Sequence, residues 1–93
     1  MRSNGFGAAT LTVSNSTLSG NSAGGNGGAL YSDSGTMMTV TGSFLLNNAA
    51  SGDGGAIFNN GGTVSVGTST FFANSPDNIV GGFTDRGGNT GLP

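Results

Sequence analysis

The sequence predicts an all-β fold: a right-handed parallel β-helix of about three coils of 26–27 residues, with a degenerate C-terminal coil. Three observations predict it. The chain repeats itself at that period, its apolar residues alternate with polar ones over short stretches, and glycine-rich runs separate those stretches. Alternation is the periodicity of a strand with one buried face, and glycine supplies the bends.

The repeat is visible when the chain is aligned with itself. At a shift of 27 residues, STLSGNSAGGNGGAL (16–30) matches SFLLNNAASGDGGAI (43–57) without a gap. A third copy, TVSVGTSTFFANS (63–75), matches MMTVTGSFLLNNA (37–49) at a shift of 26, because one residue is missing between Phe58 and Thr63. Self-similarity at such a period is typical of a solenoid.

This period divides one predicted domain, residues 1–93, into successive coils. The chain is too short for a second domain. The predicted parts are coil 1 at about 1–26, coil 2 at about 27–53, coil 3 at about 54–80 and an irregular tail at 81–93.

Each coil is predicted to contain three short strands joined by bends, with the patterns G-A-[LI]-[YF], x-[LMV]-x-V and S-x-[LF]-x-x-N. A helix is not expected, because the apolar runs are short, glycine-bounded and rich in β-branched residues. Equivalent residues of successive coils stack about 4.8 Å apart in such a fold. The predicted core columns are Leu30/Ile57, Leu11/Met38/Val64, Val13/Val40/Val66 and Leu18/Leu45/Phe71.

Asparagines recur three residues after the last of these columns, at Asn21, Asn48 and Asn74. Stacked asparagines at a bend can bond to one another and to the backbone along the stack. We interpret them as a structural ladder rather than as a polar ligand site.

The charge and composition exclude several classes of function. A net charge of -2, with two arginines and four acidic residues, provides no basic surface for nucleic acid. Without Cys or His, neither a zinc site nor a histidine-based triad is expected, and no metal or cofactor is predicted. No apolar run reaches a membrane-spanning length, and MRSNGFGAAT has no signal-peptide core. Any targeting segment or anchor is therefore expected outside this chain.

The acidic residues bear on whether the chain is an enzyme. Pectate-lyase-like chemistry needs acids clustered around Ca²⁺ and a basic residue to take a proton. Asp33 and Asp53 lie in different predicted bends, and only Asp77 and Asp85, beside Arg86, form a candidate cluster. We interpret that cluster as a solvated cap with one surface ion pair, so that no catalytic residue is predicted.

Two groups of apolar residues are predicted to point outward. Tyr31 and Phe58 stack on the first strand face, whereas Phe44, Leu46 and Phe72 lie on the third. Exposed aromatic clusters often mark interfaces, which makes these five the candidate binding residues. The alternative is that they pack beneath a neighbouring segment or stiffen the coil.

The paired motifs resemble those of a known group of proteins. Gly27-Gly28-Ala29-Leu30 and Gly54-Gly55-Ala56-Ile57, with the [LF]-x-x-N motifs ending at Asn21, Asn48 and Asn74, resemble the repeats of chlamydial polymorphic outer-membrane proteins. They are also similar to other bacterial right-handed β-helix repeats, over roughly residues 10–82. The resemblance implies an autotransporter-passenger or adhesin-like protein, secreted or exposed on the bacterial outer membrane.

The expected function is thus a non-enzymatic surface scaffold whose partner is a host-surface protein or a glycan. Self-association through open end coils is also expected, because unpaired strand edges recruit further strands. Two alternatives stay open: a fragment of a polysaccharide-processing, pectate-lyase-like enzyme whose catalytic coils lie elsewhere, and a self-assembling amyloid-like unit.

Overall fold

The structure, a computed structural model, describes residues 2–3 and 9–92. Residues 1 and 4–8 of predicted coil 1, and residue 93 of the predicted tail, lie outside this part. The described part is all-β and contains no helix. Its strands are β1 (Arg2–Ser3), β2 (Ala9–Ser14), β3 (Thr17–Ser19), β4 (Ser22–Ala23), β5 (Leu30–Asp33), β6 (Thr36–Thr41), β7 (Phe44–Leu46), β8 (Ala49–Ala50), β9 (Ile57–Asn60), β10 (Thr63–Gly67), β11 (Thr70–Phe72), β12 (Ile79–Val80) and β13 (Thr84–Asp85).

The strands form four sheets that the chain visits in turn. Sheet A orders β1, β5, β9 and β12; sheet B orders β2, β6, β10 and β13; sheet C orders β3, β7 and β11; and sheet D pairs β4 with β8. All of these strand pairs are parallel. Each strand therefore lies beside its counterpart in the next repeat, as the self-alignment of the sequence predicts.

The four predicted core columns are confirmed by the strand register. Leu30 lies opposite Ile57, and Leu18 and Phe71 flank Leu45 on either side. In sheet B the columns of Met38 and Val40 continue into β2 and β10. Met38, Val40, Leu45, Leu30 and Ile57 are fully buried, so the middle repeats form the centre of the core.

The prediction of three strands per repeat was incomplete. Sheet D supplies a fourth strand, in which Ser22 pairs with Ala49 and Ala23 with Ala50. Ser75, in the repeat after Ala49, forms a further bridge to Ala49. These strands are two residues long, which is too short for apolar alternation to reveal them.

The predicted irregular tail begins inside a last, shortened repeat. Ile79 pairs with Ile57, Thr84 pairs with Ser65, and Thr90 bridges to Thr70. Residues of sheets A, B and C thus gain a further neighbour beyond the third repeat. The last repeat is shorter than the others because its bends lose several residues, and no fixed shift of the sequence could align it.

The bends recur at left-handed backbone positions. Asn15, Gly42 and Thr68 follow the sheet B strands with φ of 48°, 56° and 50°. Gly20, Asn47 and Ala73 follow the sheet C strands with φ of 66°, 55° and 57°. Glycine and asparagine adopt this region readily, whereas alanine and threonine are strained there.

The Gly-Gly-Ala motif has two separate steric causes. Gly27 and Gly54 have φ of 73° and 70°, in the left-handed region. A Cβ on Gly28 would overlap the carbonyl oxygen of Gly55, so the neighbouring repeat leaves no room for a side chain there. The motif therefore marks a close approach of successive repeats just before sheet A begins.

Candidate functional surface

The outer face of sheet C carries an apolar patch formed by Phe44, Leu46 and Phe72, which we call the phenylalanine patch. Leu46 lies directly beside Phe72 in the parallel register, and Phe44 lies beside Thr70. Phe44 is 49% exposed and Phe72 is 69% exposed, whereas Leu46 is half-buried. The two rings are diagonal neighbours on adjacent strands, at a separation that aromatic side chains can span.

The outer face of sheet A carries the Tyr31–Phe58 pair. The ring centroids are 5.4 Å apart with an interplanar angle of 29°, which is a stacked arrangement. Asn60 Nδ2 donates to Tyr31 Oη at 3.3 Å and to Asp33 Oδ1 at 3.4 Å. The pair is half-buried and lies on a different sheet from the phenylalanine patch, so the five candidate binding residues do not form one site.

The three asparagines after sheet C lie in line along the stack. Asn21 Nδ2 donates to Asn48 Oδ1, and Asn48 Nδ2 donates to Asn74 Oδ1, both at 3.0 Å. The backbone N–H groups of Asn21 and Asn48 donate to the same oxygens, at 3.1 and 3.0 Å. Asn48 is fully buried, and its amide is used by the adjoining repeats.

The asparagine ladder continues into the last repeat. Asn74 Nδ2 donates to Asn78 Oδ1 at 2.9 Å and to the carbonyl oxygen of Leu45 at 2.8 Å. Asn78 is the counterpart of Ala56 rather than of Asn74, and it reaches Asn74 because the bend from sheet C to sheet A is shorter here than in the preceding repeat. Sequence periodicity therefore had no means of finding it.

A second polar ladder precedes sheet C and was not recognised from the sequence. Ser16 N donates to Ser43 Oγ, and Ser43 N donates to Ser69 Oγ, both at 3.2 Å. Each serine hydroxyl also donates to the carbonyl oxygen two residues earlier. Ser69 N donates to Asn89 Oδ1 at 3.0 Å, so a tail residue ends this ladder. The sequence could have revealed this ladder, since serine begins all three S-x-[LF]-x-x-N motifs.

The charged residues of the tail do not form the predicted ion pair. Asp85 Oδ1 accepts from Gly87 N at 2.8 Å and from Asn89 Nδ2 at 2.6 Å. Asp85 ends the sheet B edge strand β13 and Arg86 follows it, whereas Asp77 precedes the sheet A strand β12. Within residues 9–92 no ion pair joins Arg86 to either acid. Asp85 instead orders the turn at Gly87, which is a structural use of the carboxylate.

A groove of about 210 Å³ follows the bend between sheets A and B. Its lining consists of small, threonine and methionine side chains and contains no charged or aromatic group. The lining residues are Ala9, Thr10, Gly35, Thr36, Met37, Gly61, Gly62 and Thr63. The lining therefore contains threonine hydroxyls but no titratable side chain that could activate them as a general base.

Two further structural properties concern the described residues alone. No group of three or more acidic side chains in that part lies close enough together to hold a metal ion. Nor does any helix long and apolar enough to cross a membrane occur there.

Comparisons with protein-family models, with curated proteins and with solved structures gave no match to this chain.

Proposed function

We propose that the chain is a segment of a right-handed parallel β-helix and serves as a non-enzymatic scaffold, adhesin- or passenger-like. The observation that carries this proposal is that polar side chains join successive repeats, whereas large apolar side chains are exposed on the surface. Buried amides and hydroxyls of the two polar ladders bond one repeat to the next, whereas large apolar side chains lie outside on sheet C. The ladders thus stabilise the stack of repeats, and the outer face of sheet C is the surface that contacts a partner.

The proposed contact surface is the phenylalanine patch, and its proposed partner is a host-surface protein or a glycan. Phe72, at 69% exposed, is the most exposed of the three large apolar side chains that project from the described surface. No charged residue lies on the paired strands β3, β7 and β11, so apolar burial rather than charge would provide the affinity. The Tyr31–Phe58 pair is a secondary candidate, since each ring of a stacked pair already covers part of the apolar surface of the other.

The proposed location is the bacterial outer-membrane surface or the extracellular medium. The resemblance of the Gly-Gly-Ala and [LF]-x-x-N motifs to exported repeat proteins supports it. An antibody raised against the folded chain should then label intact, unpermeabilised cells of the source organism. Labelling only after permeabilisation would contradict an exposed location.

The binding proposal is tested with a matched pair of variants on the immobilised full chain. Phe44→Ser/Phe72→Ser should reduce retention of host cells or of an arrayed glycan about tenfold or more, because the two exposed rings of the patch are removed. Met37→Ser is the control, since Met37 is 56% exposed but lies on sheet B. Equal losses in both variants, or none in the first, would show that the patch does not bind.

The enzymatic alternative is tested separately on pectin and other anionic glycans, with and without Ca²⁺. We expect neither unsaturated nor new reducing ends. Turnover by the pure chain that disappears in Arg86→Ala, with an unchanged circular dichroism spectrum, would favour the polysaccharide-processing reading over the scaffold.

A further inference from the structure

The outer face of sheet C combines apolar side chains with hydroxyl groups. Its side chains form two rows across the strands: Thr17, Phe44 and Thr70 in one, and Ser19, Leu46 and Phe72 in the other. Phe44 therefore has a threonine on either side, and Leu46 lies beside a serine. A ligand on the phenylalanine patch would meet both aromatic rings and hydroxyls.

The hydroxyl groups of this face are not used within the protein. In the part of the chain that the structure describes, the side chains of Thr17, Ser19 and Thr70 make no hydrogen bond to another protein group. The serine ladder differs, because each of its hydroxyls donates to a backbone carbonyl oxygen. The outer face of sheet C thus offers free donors and acceptors to a ligand.

The exposed aromatic surface of the patch is small. Phe44 is 49% exposed and Phe72 is 69% exposed. Since one aromatic side chain has about 150–250 Å² of surface, the two exposed fractions together provide about 180–300 Å². A stable protein–protein interface takes about 800 Å² from each partner. The patch is therefore well below the size that a protein partner needs, but it can cover the faces of two sugar rings.

The surroundings of the patch are uncharged. Residues 14–23, 41–50 and 67–76 contain the sheet C strands and the bends on both sides of them, and none of these residues is Asp, Glu, Lys or Arg. Proteins bind carboxylate and sulfate groups chiefly through Arg and Lys. The ligand that suits this face is therefore neutral.

The two rings are spaced for two neighbouring contacts. Phe72 lies one strand across from Phe44 and two residues further along. With strands about 4.8 Å apart and a rise of about 3.3 Å per residue, their Cα atoms are about 8 Å apart. A pyranose ring has an apolar face of C–H groups and a rim of hydroxyls, so its chemistry matches an aromatic ring with hydroxyls beside it.

We propose that the phenylalanine patch binds a neutral oligosaccharide. One sugar ring stacks on Phe44 and bonds to the hydroxyls of Thr17 and Thr70, and a second sugar ring stacks on Phe72. This inference rests on the proposed function, because it names the chemical class of partner for the same contact surface.

Binding of the full chain to arrayed oligosaccharides tests the ligand class. The array carries neutral β-linked glucose, galactose and N-acetylglucosamine series, with galacturonate and sulfated series beside them, from monosaccharides to hexasaccharides. We expect binding to a neutral series that rises from the monosaccharide to the trisaccharide and does not fall with added salt. Absence of binding to every neutral series, or binding to the anionic series alone, would overturn the proposal.

Two substitutions at Phe72 separate ring stacking from general apolar contact. Phe72→Tyr keeps the aromatic face and should retain binding, whereas Phe72→Leu keeps an apolar side chain and should weaken binding about two- to tenfold. Met37→Leu, at an exposed position on sheet B, is the matched control and should change nothing. Equal binding by the tyrosine and leucine variants of Phe72 would contradict stacking on a sugar.

The hydroxyl contacts are tested by valine, which has the shape of threonine without its hydroxyl. Thr17→Val/Thr70→Val should weaken oligosaccharide binding about two- to tenfold. Thr12→Val, on the outer face of sheet B, should leave it unchanged. Unchanged binding by the double variant, with a native circular dichroism spectrum, would refute the hydroxyl contacts.

Treated host cells distinguish this inference from the proposed function. Retention that depends on Phe44 and Phe72 should be lost when the cell-surface glycans are removed enzymatically. Retention that survives this removal but is lost after protease treatment would overturn the oligosaccharide while leaving the patch as the contact surface. Retention that is insensitive to Phe44→Ser/Phe72→Ser would refute both.

Discussion

Replacing Asn48 by alanine should destabilise the protein more than any other single change in the asparagine ladder. Its side chain is fully buried and makes bonds on both sides. Oδ1 accepts from the backbone N–H and the side chain of Asn21, and Nδ2 donates to Leu18 O at 2.9 Å and to Asn74 Oδ1 at 3.0 Å. Alanine removes all of these bonds and leaves a cavity.

The magnitude follows from the groups that would lose their partners. Asn21 is exposed, so its side-chain amide can bond to water, and Asn74 Oδ1 still accepts from Asn48 N at 3.0 Å. Asn21 N–H loses its acceptor, and an unsatisfied group costs about 1–3 kcal/mol, whereas Leu18 C=O keeps the N–H of Leu46 that the parallel register of sheet C gives it. The cavity left by the missing amide adds to this cost. We expect a loss of about 3 kcal/mol, from a total of about 5–14 kcal/mol for a chain of this length.

Two substitutions serve as controls. Asn47→Gly changes the adjacent, exposed residue, whose φ of 55° suits glycine, and should alter the free energy of unfolding by less than about 0.5 kcal/mol. Asn21→Ala removes the exposed end of the ladder, where one side-chain donor is lost, and should fall between the two.

The assay is urea unfolding followed by far-ultraviolet circular dichroism. Stabilities are compared only where the dependence on urea is unchanged, because a changed slope signals an altered unfolded or native state. Equal unfolding midpoints for Asn48→Ala and Asn47→Gly would refute the ladder as a source of stability.

Three further predictions are tested in the same urea assay. Gly55→Ala should cost about 1–3 kcal/mol or more, because its Cβ would overlap the backbone of Ser75, whereas Gly24→Ala has open space and should be nearly neutral. Ala73→Gly should stabilise the protein by about 0.5–1 kcal/mol by relieving a φ of 57°; a loss of stability would contradict that strain. Ser43→Ala should cost about 1–2 kcal/mol by removing a buried ladder hydroxyl, and exposed Ser51→Ala should cost almost nothing; equal effects would deny the serine ladder a role.

The register of the three long repeats could be predicted because it is encoded twice. Apolar alternation places Leu11, Met38 and Val64 on one face, and the recurring motifs set their shift of 27 and then 26 residues. The two signals are independent, and each would expose an error in the other. Outward positions such as Phe44 and Phe72 follow from the same alternation.

The features that could not be predicted from the sequence are those whose residue pattern does not recur in the other repeats. Sheet D consists of two-residue strands, which carry no periodicity. Asn78 and Asn89 join their ladders from a shortened repeat, so their places depend on how the bends close in three dimensions. The expected ion pair failed for a related reason: Asp85 bonds to Gly87 N and Asn89 in a turn that no other repeat resembles.

The bend between sheets A and B changes length without disturbing the strands on either side. In one repeat Ser34, Gly35 and the first β6 residue, Thr36, lie between Asp33 and Met37. The next repeat has only Gly61 and Gly62 between Asn60 and Thr63, yet Met37 still lies opposite Thr63. The number of residues in this bend can therefore change while the pairing of the strands on either side stays the same. A foreign peptide spliced between Ser34 and Gly35 should be carried at the surface while the ladders remain in register, which makes the protein a candidate carrier for displayed epitopes.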